Sequence, residues 1–327
     1  MNLQNPTKCL CCNSDSIQKM RVMRGYQSYR CCNCFFEFIF PIPDKAIIEK
    51  YYNTTTVTSD IKQRIQDYIR DITSNPNSPK RDWFDKVLAK SIETTSKNSL
   101  DILEIGSSYG YFIHYANTKG HRAIGIESTP DYAKASEGLI NGKVVYIEDF
   151  NYLAVTQNKK VDLLYIEHVF EHVLEPDKVL AGIKNVLDAN SLLFMVVPNS
   201  RGFLFRILGS LWPWASPPDH LYFYNKVSLQ KLFSRYDISI IDSWTSDYYF
   251  RSIPQFYSLV PFINIFIAAK NKIVGTKTSM MKYHYRYPTD ILSFVMLLPY
   301  WVFYPIIKIG SELVGYNELV VLASKKK

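Results

Sequence analysis

From Leu100 onward the apolar positions come in short runs, separated by stretches with helical spacing. The runs "DILEI", "RAIGIE", "KVVYIE", "VDLLYIE" and "SLLFMVV" predict five strands with helices between them. Such alternation builds βαβ units, and hence a parallel sheet covered on both faces. Past Pro198 an aromatic loop, "LWPWASPPDHLYFY", leads to a helix at "SLQKLFSRY" and a sixth strand at "DISIIDSW", and the last strand is "ELVVLAS", residues 318–324. The expected fold class is α/β, with a seven-stranded, mostly parallel sheet.

Upstream the pattern differs. Residues 43–98 are polar and helical, with "DKAIIEKYY", "SDIKQRIQDYIRDI" and "DWFDKVLAKSI" carrying apolar residues three and four apart and "SNPNSP" interrupting them as a loop. They form a helical lead-in to a domain spanning 99–327. Inside that domain, residues 250–316 are an insertion containing "ILSFVMLLPYWVFYPII", seventeen uncharged residues, close to a membrane span in length. Pro299 and Pro305 interrupt it, and a single crossing would strand the last strand on the far side of the bilayer. An interfacial hairpin or apolar lid is therefore expected, with possible contact to a membrane surface.

Composition adds a compartment and a metal. With 47% hydrophobic and 21% charged residues the chain is globular, and 38 basic against 30 acidic residues give a net charge of +8. That excess is compatible with nucleic acid, an anionic membrane or a phosphorylated substrate. Residues 1–30 lack the apolar run of a secretory signal, so a reducing cytoplasm is expected, peripheral to the inner membrane face if the insertion touches lipid. All six cysteines lie in the first 34 residues. Cys9/Cys12 and Cys31/Cys34 form two C-x-x-C pairs eighteen residues apart, the spacing of a zinc ribbon with four thiolates and no open position. Residues 1–42 are thus expected to be a small module held by structural zinc, with Cys11 and Cys32 spare.

In an open parallel sheet, ligands bind beyond the carboxyl ends of the strands where the chain order reverses. The turn after "DILEI" is then the floor of a site: Gly106 lets the backbone approach a ligand, Ser107 and Ser108 keep the turn small, and Gly110 eases entry into a helix beginning near Tyr109. Glu127, ending the second strand, is placed to accept both hydroxyls of a ribose.

These residues, with "ILEIGSSYGYF", "GIE", "EDF" at 148–150, "EHVFEHVLEPDKVLAGIKNVL", "MVVPN" and "DHLYFY", resemble class I S-adenosylmethionine-dependent methyltransferases, which have a Rossmann-like sheet. The resemblance implies a cofactor site made by Glu104, Gly106, Ser108 and Gly110 around the methionine part, Glu127 on the ribose, Asp149 and Phe150 at the adenine, and Glu167 and His168 closing it. Ser108 stands where the family's glycine is commonest. The cysteine module joined to such a domain resembles sugar C-methyltransferases of deoxysugar pathways, and zinc knuckles also occur in some ribosomal RNA guanine methyltransferases.

An oxygen or carbon nucleophile needs a base. The candidates are His172, with Glu171 to orient it, and His220, beside Asp219 in the aromatic loop; a cap of the following helix is the structural alternative for His172, and a loop cap that for Asp219. The expected activity is methyl transfer to a small-molecule acceptor, a sugar or glycolipid intermediate of surface-polysaccharide or natural-product synthesis. Nucleic acid is the less expected acceptor, because Lys8, Lys19, Arg21, Arg24 and Arg30 are few and ungrouped in the sequence. A non-catalytic membrane-associated scaffold is the other alternative, opposed by the presence of Glu127 and Asp149.

Overall fold

The structure is a computed structural model and describes residues 5–53, 60–148, 150–248 and 308–326. Strands β1 (Ile17–Met23), β2 (Tyr26–Cys31) and β3 (Glu37–Ile39) open the chain. Helices α1 (Lys45–Asn53), α2 (Ile61–Ser74) and α3 (Pro79–Thr95) follow. The alternating region is β4 (Asp101–Ile105), α4 (Tyr111–Thr118), β5 (Arg122–Glu127), α5 (Pro130–Ser136), β6 (Lys143–Tyr146), α6 (Tyr152–Val155), β7 (Leu163–Glu167), α7 (Pro176–Val186) and β8 (Leu192–Pro198). It continues through α8 (Phe203–Leu208), β9 (Tyr222–Phe223), α9 (Lys226–Ser234), β10 (Ile238–Ser246) and β11 (Glu318–Lys325). The insertion expected at 250–316 lies almost wholly outside the described residues; its end, 308–314, is helical. Among the described residues no helix is long and apolar enough to cross a membrane.

Seven strands form one sheet in the order β10-β11-β8-β7-β4-β5-β6. β4 pairs in parallel with both β5 and β7, so the chain order reverses at its carboxyl end. β11 runs antiparallel to β8 and β10, which makes the sheet mostly parallel, as the sequence predicts.

Alternation along the central strands divides the core. Leu103, Ile105, Leu164, Ile166, Leu193 and Met195 face a cluster completed by α7 and α9, whereas Ile102, Leu163, Tyr165, Leu192 and Phe194 face α3 and α4. β8 is buried along its whole length, the signature of a strand covered on both sides.

The cysteine module has no separate core. Cys9, Cys31, Phe36 and Phe38 belong to the same cluster as Leu164 and Leu232. β3 pairs with β9 of the aromatic loop, Glu37 opposite Phe223 and Phe38 opposite Tyr222, giving a second sheet of order β1-β2-β3-β9. Asn225 seals the seam: its Oδ1 accepts from the N–H of Ser228 at 3.1 Å in a capping box on α9, and its Nδ2 donates to the Cys34 carbonyl at 3.1 Å. Replacing Asn225 by Ala removes the cap and orphans a buried carbonyl, so denaturant unfolding should show a loss of about 1–3 kcal/mol. A loss too small to resolve would mean that the seam contributes nothing to stability.

Candidate active site

The turn after β4 is a run of left-handed backbone: φ is +72° at Gly106, +50° at Ser108 and +73° at Gly110. Helix α4 starts at Tyr111 with Gly110 as its N-cap, two residues later than the sequence predicts, because Gly110 first turns the chain. A Cβ on Gly106 would lie 2.3 Å from Val169, and one on Gly110 2.6 Å from Ile140, so the backbone occupies space no side chain could share. The N–H groups of Gly106 and Ser107 donate to the Ile126 carbonyl at 2.9 and 3.0 Å, tying the turn to the tip of β5.

Glu127, at that tip, is buried and receives two backbone N–H bonds, from Ser108 at 2.8 Å and Thr129 at 2.9 Å, one on each oxygen. A carboxylate offers about four lone-pair positions, so each oxygen keeps acceptor capacity for a diol.

Beside this turn lie two more carboxylates, Glu104 buried and Glu167 part-buried. Glu167, at the end of β7, receives both of its oxygens' bonds from Lys80 Nζ at 3.0 Å, and Tyr165 donates to it at 2.7 Å, itself receiving the Trp83 indole N–H at 2.9 Å. Burial would raise the Glu167 carboxyl, but Lys80 and the charge of His168 hold it below its ordinary value. For Glu104 the charge of Lys80 is outweighed. Burial and the charge of Glu167 push its carboxyl well above the usual range, and its Oε2 has no hydrogen-bond partner among the described residues. Lys80 comes from α3, which the sequence marks only as a lead-in. The signal that could have found it is a lysine on the apolar face of that helix, next to Trp83 and Phe84.

A second group forms where the loop after β7 meets the aromatic loop. His172 Nδ1 lies 3.0 Å from both the Oδ1 and the carbonyl oxygen of Asp219, and its ring is 4.6 Å from that of His220. Glu171 is fully buried between them, 3.4 Å from His168 Nδ1 and 3.9 Å from His172 Nε2, and among the described residues neither oxygen has a hydrogen bond of good geometry. His168, at φ +51°, also reaches Glu318 of β11 at 3.3 Å and lies 5.1 Å from the Trp214 ring.

Burial lowers all three histidines, but partners separate them. Asp219, then Glu171, raise His172 to about 9, and the neighbouring carboxylates of Glu171 and Glu318 raise His168 to about 10. His220 is lowered by burial and by His172 to about 4. At neutral pH the His172/His220 pair therefore holds one proton, on His172. Glu171, His172 and His220 also present ligand atoms within 4.8 Å of one another.

The structure thus brings together Glu104, Gly106, Ser108, Gly110, Glu127 and Glu167 at the strand tips, and Glu171, His172, His220 and His168 in the neighbouring group. Phe150 follows β6, half-buried and edge-on to Tyr152 at 6.2 Å. Asp149 lies outside the described residues. Trp212, Tyr222, Phe223 and Tyr224 are core, while Trp214 is half-buried beside His168.

The four expected metal ligands converge. Cys9 and Cys34 Sγ are 3.6 Å apart, Cys12 and Cys31 3.5 Å, and all four lie within 4.8 Å with no disulfide. Thiolates about 2.3 Å from a tetrahedral zinc would stand at about that separation. Cys11 is buried and Cys32 exposed, both outside this set.

A mostly parallel sheet whose chain order reverses at β4 defines the Rossmann-like α/β class. A family model for a methyltransferase domain matches residues 68–243, more than half of the chain. The chain belongs to that family and is a class I S-adenosylmethionine-dependent methyltransferase. Among solved structures it is similar to an S-adenosylmethionine-dependent methyltransferase from Archaeoglobus fulgidus, at 16% identity over 75% of this chain and 94% of that one, with TM-score 0.46. It is also similar to a Burkholderia thailandensis 1,6-didemethyltoxoflavin-N1-methyltransferase with bound 1,6-didemethyltoxoflavin and S-adenosylhomocysteine, at 11% identity over 95% and 100%, with TM-score 0.44. No curated protein matches the chain. If Glu127 takes the ribose hydroxyls, Glu127→Ala should weaken S-adenosylmethionine by about tenfold to a hundredfold in calorimetry, the worth of bonds to a charged group; an unchanged affinity would remove that role.

Proposed function

We propose that this enzyme methylates an oxygen or carbon nucleophile of a small-molecule acceptor, a sugar or glycolipid intermediate of surface-polysaccharide or natural-product synthesis. The observation that carries the reading is the pair of adjoining groups at the strand tips: one suited to a nucleoside with a charged amino acid, the other to taking a proton. Glu127 holds the ribose, the left-handed turn at Gly106 and Gly110 lies under the methionine part, and Phe150 with Asp149 takes the adenine. The orphaned Glu104 Oε2 is placed for an ammonium, and Lys80 for a carboxylate. Bound there, S-adenosylmethionine supplies an electrophilic methyl group; the protein's task is alignment and exclusion of water.

His220, neutral at pH 7, receives the acceptor's proton, and the His172 cation, fixed by Asp219, offsets the charge of Glu171. Trp214 offers a ring face to a sugar. Support for the sugar comes from the cysteine module joined to this domain. The four thiolates of Cys9, Cys12, Cys31 and Cys34 hold a structural zinc: purified chain should contain zinc, and strong chelation should lower its melting temperature. Retention of full stability without metal would refute that.

The rate should rise with pH as His220 loses its proton near 4 and fall as His172 loses its own near 9. His220→Gln should cut kcat by about a hundredfold or more with unchanged cofactor affinity. A flat profile would exclude both histidines. Incubating cell extracts with labelled cofactor should place label in nucleotide-sugar or lipid fractions; label found only in RNA would overturn the acceptor class.

A further inference from the structure

We infer that the seam between the cysteine module and the catalytic domain is a binding site for a phosphate or diphosphate group, carried by the acceptor of the reaction proposed above, a reading on which this inference rests. A cavity of about 200 Å³ opens there, lined by Arg21, Arg30, Arg201, Arg206, Ser200 and Phe205 together with Phe35 and Glu37. That is smaller than the roughly 300–1,000 Å³ of a site enclosing a whole ligand, and suits one charged part of it.

The sequence scatters these arginines over nearly two hundred positions, and the isolated Arg21 and Arg30 carry no signal. Folding collects them. Glu37, fully buried, receives Arg30 Nη2 at 2.8 Å and Nε at 3.2 Å, the Ser28 hydroxyl at 2.8 Å, and lies 3.4 Å from Arg21 Nε. The carboxylate thereby fixes two guanidiniums while cancelling only one of four charges. Arg21 stacks on Phe205 at 5.0 Å and Arg201 on Phe35 at 4.8 Å, which aims their edges without consuming their N–H donors. Arg201 and Arg206 pair with no carboxylate among the described residues.

The second observation is Ser200. It is 6% exposed, lines the cavity, and its Oγ has no hydrogen-bond partner among the described residues. It is held by its N–H bond to the Tyr224 carbonyl at 2.9 Å, and Asn199 Oδ1 accepts the Arg201 N–H at 3.0 Å, so both residues sit on a braced turn at the tip of β8. That is the catalytic face of the sheet. Forked guanidiniums with a buried hydroxyl match the acceptor oxygens of a phosphate ester.

The test is calorimetry on the full chain with inorganic pyrophosphate, uridine diphosphate and farnesyl diphosphate. Pyrophosphate should bind, more weakly as salt rises, and the double variant Arg201→Ala/Arg206→Ala should lose about tenfold or more in affinity while its melting temperature and S-adenosylmethionine affinity stay unchanged. Ser200→Ala should weaken pyrophosphate in the same direction. Tighter binding of uridine diphosphate assigns a nucleotide carrier and tighter binding of farnesyl diphosphate a lipid carrier; either supports the site. Undetectable pyrophosphate binding at millimolar concentration, an unaltered affinity in the double variant, or preference for an RNA oligonucleotide overturns it. Loss of S-adenosylmethionine binding in the wild type would instead count against the parent reading and leave the pyrophosphate result to stand by itself.

Discussion

The two backbone N–H bonds that Ser108 and Thr129 make to Glu127 join the first parallel strand's turn to the end of the second. Ser108 needs that bond, since a serine at φ +50° sits where a side chain is disfavoured and the fold must hold it. The turn in turn sets Gly106 under Val169 and fixes where α4 begins. The floor of the site is thus shaped by one side chain reading its own backbone. Around it, Glu104, Glu127 and Glu167 crowd one end of the sheet, and burial with the charge of Glu167 raises the Glu104 carboxyl although Lys80 lies beside it. A cationic ligand would relieve that crowding, which is why this environment suits a sulfonium with an ammonium group.

The neighbouring histidine group shows the same economy with opposite charges. Glu171 and Glu318 are fully buried; the imidazoles of His168 and His172 lower the Glu171 carboxyl against its burial, and Glu318 lies 3.3 Å from His168 Nε2. Since β11 contributes Glu318, the strand that follows the insertion is part of the chemistry's surroundings. The chain re-enters the sheet through Asn317, whose carbonyl accepts the Asn199 N–H at 2.7 Å and whose Oδ1 accepts the Trp212 indole N–H at 3.3 Å.

Much of this was legible beforehand because its causes are local. Short apolar runs made the seven strands readable, paired C-x-x-C spacing foretold the cysteine cluster, and Glu127 followed from its place at a strand end. What was hidden depended on distant packing. Lys80 acquires its meaning only when α3 lies across β4 and β7. The two-residue stretch Tyr222–Phe223 reads as loop, and becomes a strand because β3 presents an edge to it. Arg21 and Arg30 gain Arg201 and Arg206 as neighbours only through that same pairing. Glu171 carried only an orienting role in sequence, yet burial makes it the centre on which three histidines converge.

The role proposed for the Glu127 carboxylate is to grip a nucleoside diol at the tips of β4 and β5. The most direct measurement is a crystal structure with S-adenosylhomocysteine. The prediction is both ribose hydroxyls within about 2.5–3.0 Å of the Glu127 oxygens, with the Ser108 and Thr129 bonds intact. A nucleoside bound elsewhere, or one seated there with its hydroxyls turned from Glu127, would contradict it.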